Sequence, residues 1–329
     1  MSFITPHPHY RFSAGRDEDI APYKVKGNPQ SASLTAPLEK DYVHVPLPHQ
    51  QEILMTIFIT LAAIALLVLA AVALDIRLAV PHYRLPAKPL TRPLRIIVLA
   101  DHHSSPYGKA QMRLLALIRK QNPDLILMPG DMADDKRSNR EVELLFRGLR
   151  DYGRPVYYTT GNHESRRGAD MARVKAMAER YGITVLTDET KRIEINGQHI
   201  LLGGIEDPEN VKHQNPAYKH KAAMAEAFKD VADAPVYRIL MGHKPHYIED
   251  YAKYGFDLVV SGHTHGGQVR IPGLVNGLFA PGQGLFPRWC GGLYREGDTT
   301  MIVSRGLAKR VFHPPRVFNR PEVVVIDLV

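Results

Sequence analysis

Asp257-Leu258-Val259-Val260-Ser261-Gly262-His263-Thr264-His265-Gly266-Gly267 is the stretch whose reading decides the fold. Residues 258–260 are few, apolar and β-branched in two places, and Ser-Gly closes them, which is the pattern of a buried strand. Two histidines leave it two residues apart. In extended backbone, positions i and i+2 share a face, so the spacing predicts that the His263 and His265 rings aim at one place. Small neighbours on both sides let that place approach the backbone.

Four further apolar runs end alike. Residues 95–100 run into Asp101-His102-His103, and residues 124–128 into Pro129-Gly130-Asp131. Residues 155–160 run into Gly161-Asn162-His163-Glu164, and residues 237–241 into Gly242-His243. Each is a strand of parallel-sheet type that delivers Asp, His or Asn at its carboxyl end, where open α/β sheets hold their sites. Five such exits predict a metal centre. Between them, residues 111–120, 139–150 and 170–180 carry amphipathic helical patterns, and 219–231 a polar-faced one. Residues 192–195, 200–205, 300–303 and 323–328 read as further strands. That is more than one parallel sheet needs, so the fold class expected is α/β with two packed mixed sheets flanked by helices.

The 329 residues are 44% hydrophobic and 23% charged, an ordinary globular balance with length for a sizeable core. The net charge of +8 is uneven: residues 1–52 carry five basic and six acidic side chains, hence −1, and leave +9 to the rest. A basic catalytic part suits an anionic substrate or an anionic membrane surface. Cys290 is the single cysteine, so no intrachain disulfide can form.

Residues 1–52 are rich in Pro, His and polar residues without apolar period, and are expected to be a disordered tail. Residues 53–74 hold no charge over 22 positions. About 20 apolar residues cross the hydrocarbon core as a helix, and a soluble core helix apolar on every face is unusual. The expectation is a transmembrane anchor, too far from the N-terminus and too poor in preceding bases for a cleavable signal. Arg77, Arg84, Lys88, Arg92 and Arg95 follow it, against Lys40 before it. The positive-inside rule then predicts a single-pass protein of the cell membrane with its catalytic domain in the cytoplasm. Residues 75–93, with Pro81, Pro86, Pro89 and Pro93, read as a stiff extended linker to a domain at 94–329.

Asp101-x-His103, Gly130-Asp131-x-x-Asp134, Gly161-Asn162-His163-Glu164, Gly242-His243 and Gly262-His263-x-His265 together resemble the five motifs of calcineurin-like metallophosphoesterases, in the same order. The form at 262–268 is most similar to the bacterial branch with an N-terminal anchor or signal. Two positions depart from the family pattern: His102 stands where Leu is usual, and Lys244-Pro245-His246 follows the fourth motif. The resemblance implies an αββα sandwich with two divalent metal ions. One would be held by Asp101, His103, Asp131 and His265, the other by Asp131, Asn162, His243 and His263. Oxygen and imidazole donors without thiolate suit manganese, iron or zinc, and the resemblance favours Mn²⁺. His163 would assist the leaving group as the catalytic residue, with Asp134 supporting a ligand histidine. Two such cations, two carboxylates and a hydroxide leave a net positive cluster that attracts phosphate, which is why Asn rather than Asp suits position 162.

The implied activity is hydrolysis of a phosphate ester or pyrophosphate bond. Residues 271–293 form a Gly- and Pro-rich loop with apolar Leu285, Phe286 and Trp289, expected either to pack on the domain or to meet acyl chains or the bilayer. Arg288, Arg305, Lys309, Arg310 and Arg316 are candidates to hold a diphosphate. Glu206 and Asp207 end another strand and either line the cleft or pack at a turn. A lipid-linked substrate is therefore expected, of the kind that some anchored relatives cleave in UDP-diacylglucosamine. The alternatives are a nuclease or soluble phosphodiesterase on the same site, and a metal-free binding scaffold. The anchor and the lack of an aromatic–basic motif argue against nucleic acid, and the complete donor set against a scaffold.

Overall fold

A computed structural model describes residues 47–166, 170–209, 219–309 and 315–329. By its contacts the chain divides into Met1–Ile57 and Phe58–Val329. Of the expected disordered tail, residues 1–46 lie outside the described residues. Helix α1, Leu47–Ala73, begins ahead of residue 53 because Pro48 falls in its first turn, where a missing N–H interrupts no helical bond. It is long and apolar enough to cross a membrane, and the strongest 18-residue window within it is 0% buried. A helix of a soluble core would be mostly covered.

The chain continues through β1 (His82–Leu85), β2 (Leu94–Val98), α2 (Met112–Gln121), β3 (Leu125–Pro129), α3 (Arg140–Tyr152), β4 (Val156–Thr159) and α4 (Asn162–Ser165). Next come α5 (Asp170–Arg180), β5 (Thr184–Val185), β6 (Glu189–Ile195), β7 (Gln198–Ile205), α6 (His220–Ala227), β8 (Tyr237–Gly242) and β9 (Leu258–Ser261). A ribbon of β10 (Phe279–Ala280) and β11 (Gly284–Leu285) precedes β12 (Gly292–Glu296), β13 (Thr299–Val303) and β14 (Val324–Leu328).

Two six-stranded mixed sheets result, ordered β1-β14-β2-β3-β4-β5 and β12-β13-β9-β8-β7-β6. In each, the site-bearing strands pair in parallel: β2 with β3 and β3 with β4 in the first, β8 with β9 in the second. Alternation along the strands builds three apolar layers. Ile96 and Val98 face Ile239, Met241, Leu258 and Val260 in the core between the sheets. Ile97 and Leu99 face the opposite way, against Leu114 and Ile118 of α2 and Leu145 and Phe146 of α3. The outer face of the second sheet packs Leu240, Val259 and Met301 on Met224 and Phe228. The layers run helix, sheet, sheet, helix.

Residues 75–93, expected to be a stiff extended linker outside the domain, are in part built into its sheet. β1 pairs in parallel with β14, Ala79 bridges to Glu322, and Leu85 and Ala87 are buried. Pro81 and Pro86 bracket β1 at the edge of its sheet, where prolines are tolerated. The folded unit thus starts before residue 94, because an edge strand can accept proline while its carbonyls still pair.

Candidate metal centre

The carboxyl ends of β2, β3, β4, β8 and β9 meet, and Asp101, His103, Asp131, Asn162, His243, His263 and His265 are buried there. Five of them hold left-handed backbone: Asp101 (φ 50°), His103 (44°), Asp131 (55°), His263 (71°) and His265 (48°). Such conformations cost about 1–3 kcal/mol each outside glycine and collect at functional sites. They also correct the expectation that strand alternation aims His263 and His265. β9 stops at Ser261, the Gly262 N–H donates to the His243 carbonyl at 3.0 Å, and the Thr264 N–H donates to Gly262 at 2.9 Å. A turn, not a strand, converges the two rings.

Asp131 stands at the middle. Its Oδ1 accepts the His163 backbone N–H at 2.8 Å. Its Oδ2 lies 3.2 Å from His243 Nε2 and 3.5 Å from His103 Nε2. His243 Nδ1 is 2.8 Å from the Pro129 carbonyl; a carbonyl only accepts, so Nδ1 carries the proton and Nε2 faces the site. There Nε2 is 3.2 Å from Asn162 Oδ1 and 3.3 Å from His263 Nδ1. Asp101 takes the His263 backbone N–H at 2.9 and 3.1 Å. A Cβ on Gly130 (φ 88°) would sit 2.5 Å from His243 Nδ1, and one on Gly161 2.2 Å from Asp131 Oδ1. Only glycine lets these walls close.

The donor set fits divalent cations. Among the described residues, both ring nitrogens of buried His103 lack a hydrogen-bond partner; Nε2 faces Asp131, and Nδ1 is 3.6 Å from Asp134. Separations of 3.2–3.5 Å are those of two donors sharing one ion at about 2.0–2.2 Å each. Asp101, His103 and His265 offer atoms within 4.8 Å of one another, as do Asp131, His243 and His263. A third trio, His103, Asp131 and His163, meets the same test.

Electrostatics agree. Burial lowers the His243 imidazole, but the Asp131 and Asp101 carboxylates outweigh it and hold the group at about 10. Burial pushes Asp101 up, and the Asp131 charge adds to it. The pocket calls for positive charge at its centre. Burial keeps His263 and His265 well below the usual imidazole range, so they offer neutral lone pairs.

Residues outside the donor set hold it in shape. The Glu164 carboxylate accepts the backbone N–H groups of Asp131 (3.1 Å), Ala133 (2.9 Å) and Gly161 (2.9 Å), which ties the β3 and β4 exits together. Buried Arg316 donates to the carbonyls of Ala308 (2.8 Å), Arg305 (2.8 Å) and His265 (3.3 Å), and Asn319 Nδ2 donates to His265 at 2.7 Å. Glu164 stands in the third motif, but its ties to Asp131 and Ala133, like those of Arg316 and Asn319 to His265, join distant parts of the chain that no local pattern shows.

A cavity of about 270 Å³ opens over the centre. Asp131, Asn162, His263 and His265 form its floor, with Asp134, Asp135, Lys136, His163, Arg166 and Pro281 around them. His163 Nδ1 is 3.2 Å from Asp135 Oδ1 and Nε2 is 3.4 Å from Arg166 Nη1. The cations here are Lys136 and Arg166, the latter also paired with Glu209 at 3.3 Å, and the sequence reading missed both. Of those it favoured, Arg305 is paired with Glu322, Arg316 braces the His265 turn, Arg288 is exposed on Trp289, and Arg310 lies outside the described residues. Glu206 accepts from Thr160 (2.9 Å) and Lys175 (2.7 Å), and Asp207 pairs with Lys244 at 3.2 Å; both pack at the turn rather than line the cavity. His102 is buried, and burial lowers it to about 4. Leu285 (68%) and Phe286 (66%) are exposed rather than packed.

A family model described as "Calcineurin-like phosphoesterase" matches residues 94–267. A bovine "Transmembrane protein with metallophosphoesterase domain" is 29% identical over 262 residues, covering 76% of this chain and 55% of the relative, so this chain spans about half of that protein. The "Phosphodiesterase YaeI" of Escherichia coli is 28% identical over 246 residues, 72% of this chain and 83% of the relative. Relatives thus occur in bacteria and animals. Among solved structures, TT1561 of Thermus thermophilus covers 66% of this chain and 92% of its own at 13% identity, with a TM-score of 0.44.

Proposed function

Since the chain belongs to the calcineurin-like phosphoesterase family and is a metal-dependent phosphoric ester hydrolase, we propose that two cations would be held around Asp131. Asp101, His103, Asp131 and His265 would hold one, and Asp131, Asn162, His243 and His263 the other. The observation that carries this is the single oxygen Oδ2 of Asp131 facing His243 Nε2 at 3.2 Å and His103 Nε2 at 3.5 Å, imidazoles from different sheets. Manganese is the preferred ion, on family resemblance alone. Bound there, the metals would supply a nucleophile from water and draw charge from the phosphoryl oxygens.

The chain's own groups do the rest. His163 stands on the cavity wall, next to the donor set, and protonates the departing oxygen. Asp135 orients the ring by accepting from Nδ1 at 3.2 Å, which leaves Nε2 on the cavity side. Arg166 and Lys136 hold the non-bridging charge of the phosphate. Asn162 leaves the centre one negative charge short of an all-carboxylate set, which favours an anionic substrate.

The finer reading is a membrane-anchored enzyme acting on a lipid-linked phosphate or nucleotide-diphospho-lipid, with its domain on the cytoplasmic side. It draws support from the length and exposure of α1, the bases that follow it, and the exposed apolar Leu285 and Phe286. The test is metal analysis of the full chain with a panel of phosphomonoesters, phosphodiesters and UDP-lipids. Two bound metals with turnover of at least one class is the expected result; bound metals without turnover of any would overturn the substrate reading. In Leu285→Ser/Phe286→Ser, hydrolysis of vesicle-borne lipid should fall while that of a soluble nitrophenyl diester holds. Equal losses would reject the lipid.

A further inference from the structure

We propose that the 271–289 loop is a second membrane contact, which seats the catalytic unit on the bilayer interface beside its anchor. The inference rests on reading α1 as a membrane span, and adds to it a docking surface on the folded domain itself.

The loop leaves the domain from one base, where the Leu278 N–H donates to Gly267 (3.0 Å) and Val269 (2.9 Å). Two exposed apolar patches flank that base. The first is a tight turn, closed by Val275 N–H to Ile271 O at 2.8 Å, with Leu274 84% and Ile271 48% exposed. The second lies at the foot of the β10–β11 ribbon, where Leu285 pairs with Phe279 and the Phe286 N–H donates to the Leu278 carbonyl at 2.8 Å. Phe286 is left-handed at φ 50°, so a bulky residue is held outward at a conformational cost. An apolar group in that position has no stabilising use in water.

The loop's neighbours identify the partner. The end of α1 is joined to the loop's base by backbone bonds: Phe318 N–H donates to Ala73 O at 2.6 Å, and Arg270 N–H to Val317 O at 3.0 Å. The loop therefore starts next to where the apolar helix ends. Three residues beyond Leu285, the exposed Arg288 guanidinium stacks 4.7 Å from the ring centroid of half-buried Trp289 and lies 3.5 Å from Glu249 Oε1. An indole with a cation beside it is the pairing that settles at the level of lipid headgroups, and apolar side chains ahead of it reach into the acyl boundary. The ribbon's turn also carries Pro281, a wall of the catalytic cavity, so the contact would bring the cavity mouth to the surface where a lipid-borne phosphate resides.

Trp289 is the only tryptophan in the chain, so its emission reports this loop and nothing in α1. The full chain is reconstituted in anionic phospholipid vesicles with plain or brominated acyl chains, floated, and its tryptophan emission read. Lower emission in brominated than in plain vesicles is expected, as for an indole at the interface. In Leu274→Asp/Leu285→Asp/Phe286→Asp, all exposed positions, the quenching should disappear while the chain still floats. A wild-type chain that floats but shows equal emission in both vesicles overturns the contact and leaves the anchor standing. A chain that does not float overturns the anchor and the contact together.

Discussion

The two sheets furnish the centre with different chemistry. The exits of β2, β3 and β4 supply oxygen, from Asp101, Asp131 and Asn162, with one imidazole, His103. The exits of β8 and β9 supply imidazole alone, from His243, His263 and His265. Neither sheet holds a complete donor set for two cations. The centre exists only where the sheets pack, and Asp131 is the point at which they touch: one of its oxygens faces a histidine from each side. Metal loading and packing of the sandwich should therefore be coupled.

Asp131→Asn is the strongest way to break this arrangement. It should lower hydrolysis of a nitrophenyl phosphodiester by about 10³-fold or more, the several kcal/mol that metal electrostatics contribute, with metal content falling at both positions by elemental analysis. Retention of both metals would mean that Asp131 is not shared.

His163→Ala sharpens the contrast, since His163 lies beside the donors. A loss of about 10²-fold in kcat, the scale of general acid catalysis, should come with metal content unchanged. If metal is lost as well, the His103, Asp131 and His163 trio describes a ligand and the proton role is misplaced.

Removing the metal tests the coupling itself. Saturating metal at 100 times its Kd stabilises by about 2.7 kcal/mol, so chelation should lower Tm by roughly 5–10 °C for a unit of this size. An unchanged Tm would mean that the sheets pack without regard to the ions.

Asn162→Asp reads charge rather than grip. Inhibition by inorganic phosphate should weaken by about tenfold, one charge at close range in a partly screened site, while metal affinity holds. Equal losses in both titrations would refute the charge argument. The smallest effect belongs to Glu206→Gln, at the exit of β7 yet occupied by Lys175 and Thr160: activity within about twofold and stability lower by about 1 kcal/mol, read by denaturant unfolding.

Strand exits were readable because an apolar run followed by Asp, His or Gly is a local pattern, and the nine expected strands lie within a few residues of observed ones. β1 was missed because proline marks a linker unless an edge partner is known, and that partner, β14, is far along the chain. The way the two histidines of 263–265 converge was misread because left-handed backbone at His263 and His265 is imposed by the packing of neighbouring exits, not by their own preference. The cavity cations were misplaced for a related reason. Arg166 closely follows His163 and gave no signal, whereas Arg305 and Arg316, which looked free, answer to Glu322 and to carbonyls brought in from elsewhere.

From sequence alone came the layer architecture, the strand exits that carry the candidate donors and the apolar helix, since periodicity, residue chemistry and strand endings are properties of short segments. Tertiary structure decided which oxygen faces both sheets, which cations reach the cavity and which apolar residues stay in water. Those depend on groups distant in the chain lying within a few ångströms, and no segment carries that information by itself.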